Sequence, residues 1–311
     1  MRGARVLTGL LIVGVIAAAS GASAGPGTSV SAARLGDPVI AAAGDIVCAP
    51  SNAAFGGSDP ARCQHRATAR LISDRGVDAV LPLGDDQYEN GTLSEYQGGY
   101  DPSWGVFNEV AHPAVGNHEY QTPGAAGYFD YFQSVGVEVG ARTEGYDSLD
   151  IGTWHLIALN SNCGAVRCGA TSAQVAWLRA DLAGTTQPCV LAYWHHPRFS
   201  SGLHGDITNV KPFWTELYRA RADVVLNGHD HDYERFKLQD PSGRATTAGI
   251  REFVVGTGGR SLYNFSTIDA NSVKRVKSFG VLFLTLHPDG YDWRFVNTAG
   301  TIADSGSRAC H

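Results

Sequence analysis

Two histidines separated by a single residue, His229 and His231 in VVLNGHDHDYER, follow an apolar segment that reads as a strand. Other short apolar runs stop on similar residues: Asp45 after PVIAAAG, Asp85 after DAVLPLG, and His195 with His196 after PCVLAYW. Asn117 and His118 stand together in HPAVGNHEY. Aspartate and asparagine oxygens combined with neutral imidazoles suit zinc, iron or manganese. With one carboxylate bridging two ions about 3.5–4 Å apart, such a set supports hydrolytic displacement. The set contains no thiolate and the chain no C-x-x-C spacing, which disfavours a structural zinc knot.

For these residues to meet, the strands that carry them must end together, and in α/β sheets ligands collect at strand C-termini. PVIAAAGD, DAVLPLGD, WHLIALNS, PCVLAYWHH and ADVVLNGHDH read as buried strands, so their endings are expected on one edge. Asp59 and Pro60 predict the start of a helix that runs through Leu71 and Ile72 and stops near Gly76. TSAQVAWLRADLA predicts a second helix with a Thr171–Gln174 capping box and Val175, Leu178 and Leu182 on one face. VKPFWTELYRA predicts a third. The last third is strand-rich: IREFVVGTGG, then GVLFLTLHPDGYDWRFV, a hairpin turning at Pro288-Asp289-Gly290. Strands alternating with helices and then following one another predict a mixed α/β (α+β) fold of two stacked mixed sheets flanked by helices.

Residues 1–24 combine Arg2 and Arg5, an apolar run from Val6 to Ala19 and small residues at Ala22 and Ala24, the pattern of a secretory signal peptide cut after Ala24. Residues 25–37 read as a flexible leader and 38–311 as one domain; no later segment is long and apolar enough to span a membrane. Loss of the two arginines leaves 22 basic against 30 acidic residues, a net charge near −8, which argues against gripping nucleic acid by counterion release. An exported chain with six cysteines implies disulfides. Their connectivity is open by sequence; proximity favours Cys48–Cys63 and Cys163–Cys168, leaving Cys189–Cys310.

GD at 44–45, GDDQY at 84–88, GNHE at 116–119, AYWHHP at 192–197 and GHDH at 228–231 resemble, in order, the five blocks of the calcineurin-like metallophosphoesterases. Within that superfamily they look most like the purple acid phosphatases, in a short bacterial-type form without the extra N-terminal β domain of the plant enzymes. Most of the superfamily begins D-x-H, whereas this chain has Asp45-Ile46-Val47, and Val47 cannot ligate. The purple acid phosphatases use a tyrosine three residues after the bridging aspartate, here Tyr88. The resemblance implies a four-layer sandwich fold. It also implies two metal ions, Fe(III) with a divalent Zn, Fe or Mn: Asp45, Asp85, Tyr88 and His231 on the first, and Asp85, Asn117, His195 and His229 on the second.

The same resemblance implies hydrolysis of small phosphorylated substrates, chiefly phosphomonoesters, by in-line attack of a metal-bound hydroxide. Asn117 and His118 would hold phosphate, and His204, in HHPRFSSGLHGD, would bind and protonate the leaving group. The alternatives are a phosphodiesterase of the same fold and a secreted binding protein without catalysis, which a lost ligand would favour; none is lost. His196 reads as a supporting residue beside its neighbour, and Asp86, Asp230 and Asp232 as turn or ligand-orienting residues. Arg198 reads as a phosphate contact or a surface ion pair. His65, His112, His155, His287 and His311 carry no motif.

Overall fold

The computed structural model describes residue 1 and residues 36–311. The signal peptide, its cleavage after Ala24 and the leader as far as residue 35 therefore lie outside the described residues. From there the chain runs β1 (Val39–Ala43), α1 (His65–Ser73), β2 (Ala79–Pro82), α2 (Leu93–Glu95), α3 (Ala126–Ser134), β3 (Asp147–Ile151) and β4 (Trp154–Ala158). It continues through α4 (Ala173–Gly184), β5 (Cys189–Tyr193), α5 (Lys211–Arg219), β6 (Val224–Asn227), β7 (Tyr233–Phe236), β8 (Arg251–Val255) and β9 (Ser272–Val276). Three long strands close it: β10 (Gly280–His287), β11 (Gly290–Asn297) and β12 (Ile302–Ala309).

Two sheets result, one ordered β12-β11-β10-β1-β2 and the other β3-β4-β5-β6-β8-β7-β9. Both are mixed: β1 pairs parallel with β2 but antiparallel with β10, and β4, β5, β6 and β8 run parallel with antiparallel partners outside them. The alternation of side chains along a strand decides what each face meets. In β5, Leu191 faces the other sheet's Ile40, Leu282 and Leu284 in one core, while Val190 and Ala192 face outward to Val175, Leu178, Phe213 and Leu217 of α4 and α5. On the far side α1 packs Ala69 and Ile72 against the five-stranded sheet. The layers are thus helix, sheet, sheet, helix, as expected, and the hairpin turns between His287 and Gly290 as expected.

A buried polar clasp also joins the sheets. Asp304 of β12 accepts hydrogen bonds from Tyr233 Oη (2.7 Å) and Arg235 Nε (2.7 Å) of β7. The three disulfides are Cys48–Cys63, Cys163–Cys168 and Cys189–Cys310, the last tying the chain's end to β5.

Several local expectations are corrected. The first helix starts at His65, not at Pro60: the Asp59 carboxylate accepts Ala61 N–H in a turn, and Cys63 is held by its disulfide before the helix can begin. The second helix is capped by Ser172, whose hydroxyl accepts Val175 N–H, because Gln174 is drawn to the backbone of Asn160. The endings also do not share one sheet edge. Asp45 and Asp85 follow β1 and β2 of the five-stranded sheet, and His195 and His229 follow β5 and β6 of the seven-stranded one. The loops of two facing sheets converge instead.

Candidate metal centre

Where β1, β2 and β6 end, the chain turns sharply. Asp45, Asp85 and His229 take positive φ values of 59°, 49° and 72°, a region costly for side chains other than glycine and found at functional sites. Neighbouring groups hold them there. His229 N–H donates to Asp45 Oδ2 at 2.7 Å, and His118 N–H donates to Asp85 Oδ1 at 2.7 Å. Gly84 makes the approach possible: a Cβ on it would lie 2.8 Å from His195 Nδ1 and 2.8 Å from the Gly116 nitrogen.

The seven expected ligands come together in two groups that share one atom. In the first, Tyr88 Oη lies 2.8 Å from Asp45 Oδ1, 3.2 Å from Asp85 Oδ2 and 3.1 Å from His231 Nε2. In the second, His195 Nε2 lies 3.3 Å from Asp85 Oδ2, 3.0 Å from Asn117 Oδ1 and 3.2 Å from His229 Nδ1. Asp85 Oδ2 belongs to both. Val47 is fully buried and offers no donor atom, whereas the phenol of Tyr88 reaches the first group.

The imidazoles are oriented from behind. His195 Nδ1 is 3.0 Å from Leu83 O and His231 Nδ1 is 2.5 Å from Ser261 O, so each donates to a carbonyl and turns Nε2 inward. This is how metal-ligating histidines are held. His229 is reversed, with Nδ1 inward. Two buried carboxylates, three imidazoles, an amide oxygen and a phenol converge with neither Lys nor Arg among them, so the donor set fits a pair of cations.

The charges agree with that fit. Burial would raise the Asp85 carboxyl, yet His195 and His118 hold it well below the ordinary range. Burial would lower His195, but Asp85 above all raises it to about 9. Burial and the carboxylates of Asp45 and Asp85 push the Tyr88 phenol well above its ordinary value, repulsion that a bound cation would reverse.

The remaining candidates separate. His118 stands beside the centre, its ring 4.3 Å from that of Tyr88, its Nδ1 2.6 Å from Glu89 O and its Nε2 3.9 Å from Asp85 Oδ2. His204 is exposed, its ring 4.2 Å from that of His229. His196 makes a supporting contact, Nδ1 to Ser161 Oγ at 2.8 Å. Asp230 accepts Ser200 Oγ (2.5 Å) and His204 N–H (2.8 Å) and so fastens the loop that carries His204. Asp86 and Asp232 are buried with no hydrogen-bond partner on either oxygen, and burial pushes the Asp232 carboxyl up to about 9. Arg198 makes the expected ion pair, Nη1 to Asp206 Oδ2 at 3.7 Å, but from a buried position against the Phe199 ring, 4.3 Å away, rather than on the surface.

Sequence reading missed Glu119, Ser261 and Tyr263. Glu119 braces two loops through backbone N–H groups, and the ring of Tyr263 stacks on His231 at 4.0 Å. The glutamate of GNHE was in view; its partners, being main chain, leave no mark in the sequence.

The family described as calcineurin-like phosphoesterase matches residues 38–233. The chain is similar to purple acid phosphatase 23 of Arabidopsis thaliana, with 32% identity over 184 residues, 53% of this chain and 38% of that protein. It is similar to purple acid phosphatase 15 of the same plant, with 29% identity over 193 residues, 51% of this chain and 36% of that protein. It thus spans well under half the length of these relatives. In fold it is similar to purple acid phosphatase PPD1 from seeds of yellow lupin (Lupinus luteus), with a TM-score of 0.71, 20% identity and coverage of 89% of this chain and 54% of that one.

Proposed function

The chain belongs to the calcineurin-like phosphoesterase family, with purple acid phosphatases among its homologues, and from that premise we propose that it is an exported acid phosphatase that hydrolyses small phosphomonoesters at a dinuclear centre. The observation that carries this reading is the shared Asp85 Oδ2, 3.2 Å from the Tyr88 phenol on one side and 3.3 Å from His195 on the other.

Asp45, Asp85, Tyr88 and His231 would hold one ion, Fe(III) because phenolate is a hard anionic donor. Asp85, Asn117, His195 and His229 would hold the second, a divalent Zn, Fe or Mn. Bound there, the cations would neutralise phosphate oxygens and acidify a water to serve as nucleophile. The chain's own groups do the rest. Asn117 and His118 orient the phosphate, and with its Nδ1–H engaged by Glu89 O, His118 in its imidazolium form donates Nε2–H to an oxygen that gains charge in the transition state. His204, held by its N–H on Asp230, binds the leaving group and gives its proton to the departing alkoxide.

Export is supported by the three disulfides, which persist in oxidising compartments, and by the signal-like residues 1–24. Mass spectrometry of the protein recovered outside the cell tests this, with Gly25 as the expected first residue.

The activity is tested by assaying the metal-loaded chain on a phosphomonoester and a phosphodiester of the same alcohol. Faster turnover of the monoester is expected. Preference for the diester would make it a phosphodiesterase of the same fold, and two bound metals with no turnover of either would favour the binding-protein alternative.

A further inference from the structure

Beside the second half of the centre lies a cleft of about 360 Å³, within the size range of small-molecule sites. Tyr120 walls it from the residue directly after GNHE, Ser161 and Asn162 from the segment just before the loop closed by Cys163–Cys168, and Ile207 and Asn209 from the segment before α5. The wall toward the centre is His196. Its ring lies 4.4 Å from that of His229 and 4.9 Å from that of His195, and both its Nδ1 and its main-chain N–H engage Ser161 Oγ. Cleft and centre therefore share one wall, and an ester whose phosphate rests at the centre has its alcohol portion within reach of the cleft.

The lining selects by charge. Among the described residues that line it there is no Lys, Arg, Asp or Glu. Asn162 spends its Nδ2 on Val115 O and Asn160 Oδ1, which leaves its Oδ1 as an acceptor. Tyr120 Oη already accepts from Asn160 Nδ2 at 2.8 Å, which leaves its own proton to donate. With the Asn209 amide these groups match hydroxyls, and the Tyr120 ring and Ile207 offer an apolar face. An anionic group here would lose water and find no cation.

We propose that this cleft is the leaving-group subsite, a reading that rests on the phosphatase assignment, and that it selects esters of uncharged polyhydroxy alcohols such as sugars over esters whose alcohol carries a further phosphate. The test uses Ala165→Trp, an exposed position on the cleft wall that touches none of the catalytic groups. A hexose phosphate, a hexose bisphosphate and methyl phosphate are the substrates, with inhibition by inorganic phosphate as the control on the centre. The wild type should favour the hexose phosphate over the bisphosphate by about tenfold in kcat/KM, and Ala165→Trp should raise KM for the hexose phosphate by about tenfold. Methyl phosphate, whose alcohol portion is too small to enter the cleft, should be turned over unchanged, and phosphate inhibition should stay unchanged. Free hexose should also shift the side-chain amide resonances of Asn162 and Asn209 in the wild type and not in Ala165→Trp. Equal turnover of mono- and bisphosphate, or an Ala165→Trp effect that is absent or the same for every ester, overturns the subsite while leaving the phosphatase intact. Failure of the metal-loaded wild type to turn over any ester overturns the phosphatase reading itself.

Discussion

The Glu119 carboxylate accepts the main-chain N–H of Asp85 at 3.0 Å, and with it those of Gly116 (2.8 Å), Asp86 (3.0 Å) and Gln87 (3.3 Å). One buried side chain thus fixes the two loops that carry Asp85 and Asn117. Burial first, and the Asp85 charge second, push its own pKa up to about 7.

Glu119→Gln keeps the shape but turns an N–H₂ toward N–H donors. At least one buried donor would lose its acceptor, a loss of about 1–3 kcal/mol. Chemical denaturation of the metal-free chain should show that loss, together with weaker metal retention by the folded variant. Unchanged stability would mean that the loops hold themselves.

Asp230 acts on His204 through the backbone. Asp230→Ala should lower kcat for alkyl phosphates by about tenfold or more, because a poor leaving group needs the proton. A nitrophenyl ester, which departs as a stabilised anion, should change far less. Equal losses on both esters, with metal content unaltered, would remove His204 from the acid role.

Legibility follows which residues depend on side chains for their partners. Asp45, Asp85, Asn117, His195, His229 and His231 are legible as candidates because only a few residue types ligate metals and each closely follows an apolar run, whereas Tyr88, behind Asp86 and Gln87, is implied only by the family resemblance. Glu119 and Asp230 bind main-chain N–H groups, which any sequence supplies. Among the strands, VIAAA and VVLN were visible because both of their faces are buried. YERF, SVKRV and IADSGSRA were not: they carry charges, and β9 and β12 are sheet edges. The start of α1 was misread because Asp59 and Pro60 also suit the turn that they form.

His155 bridges two carboxylates, Nδ1 to Asp150 Oδ1 at 2.7 Å and Nε2 to Asp181 Oδ2 at 2.8 Å, and so ties β3 and β4 to α4. Burial lowers its pKa, but the bonds to Asp181 and Asp150 outweigh burial and raise it above 6.5. A raised histidine contributes stability that is fully present below the unfolded value and lost as pH rises through the folded one. The melting temperature of the metal-free chain should therefore fall from mildly acidic to alkaline pH, and the fall should be smaller in His155→Asn. Parallel pH curves for the two proteins would refute this.

Cys189–Cys310 spans 121 residues and Cys163–Cys168 only five. Replacing the first pair by serine should cost about 2–5 kcal/mol and the second less, since the longer loop gains more from closure. Urea midpoints of the two double variants test the order; a reversed order would show that strain or local packing governs instead.

The central claim is that Asp85 serves two ions at once. Metal content per folded chain, measured by plasma mass spectrometry after dialysis, tests it most directly. The wild type should carry two ions, Tyr88→Phe should lose iron in preference to the divalent metal, and Asp85→Asn should retain fewer than one. Two ions retained by Asp85→Asn, or a single ion in the wild type, would contradict the claim.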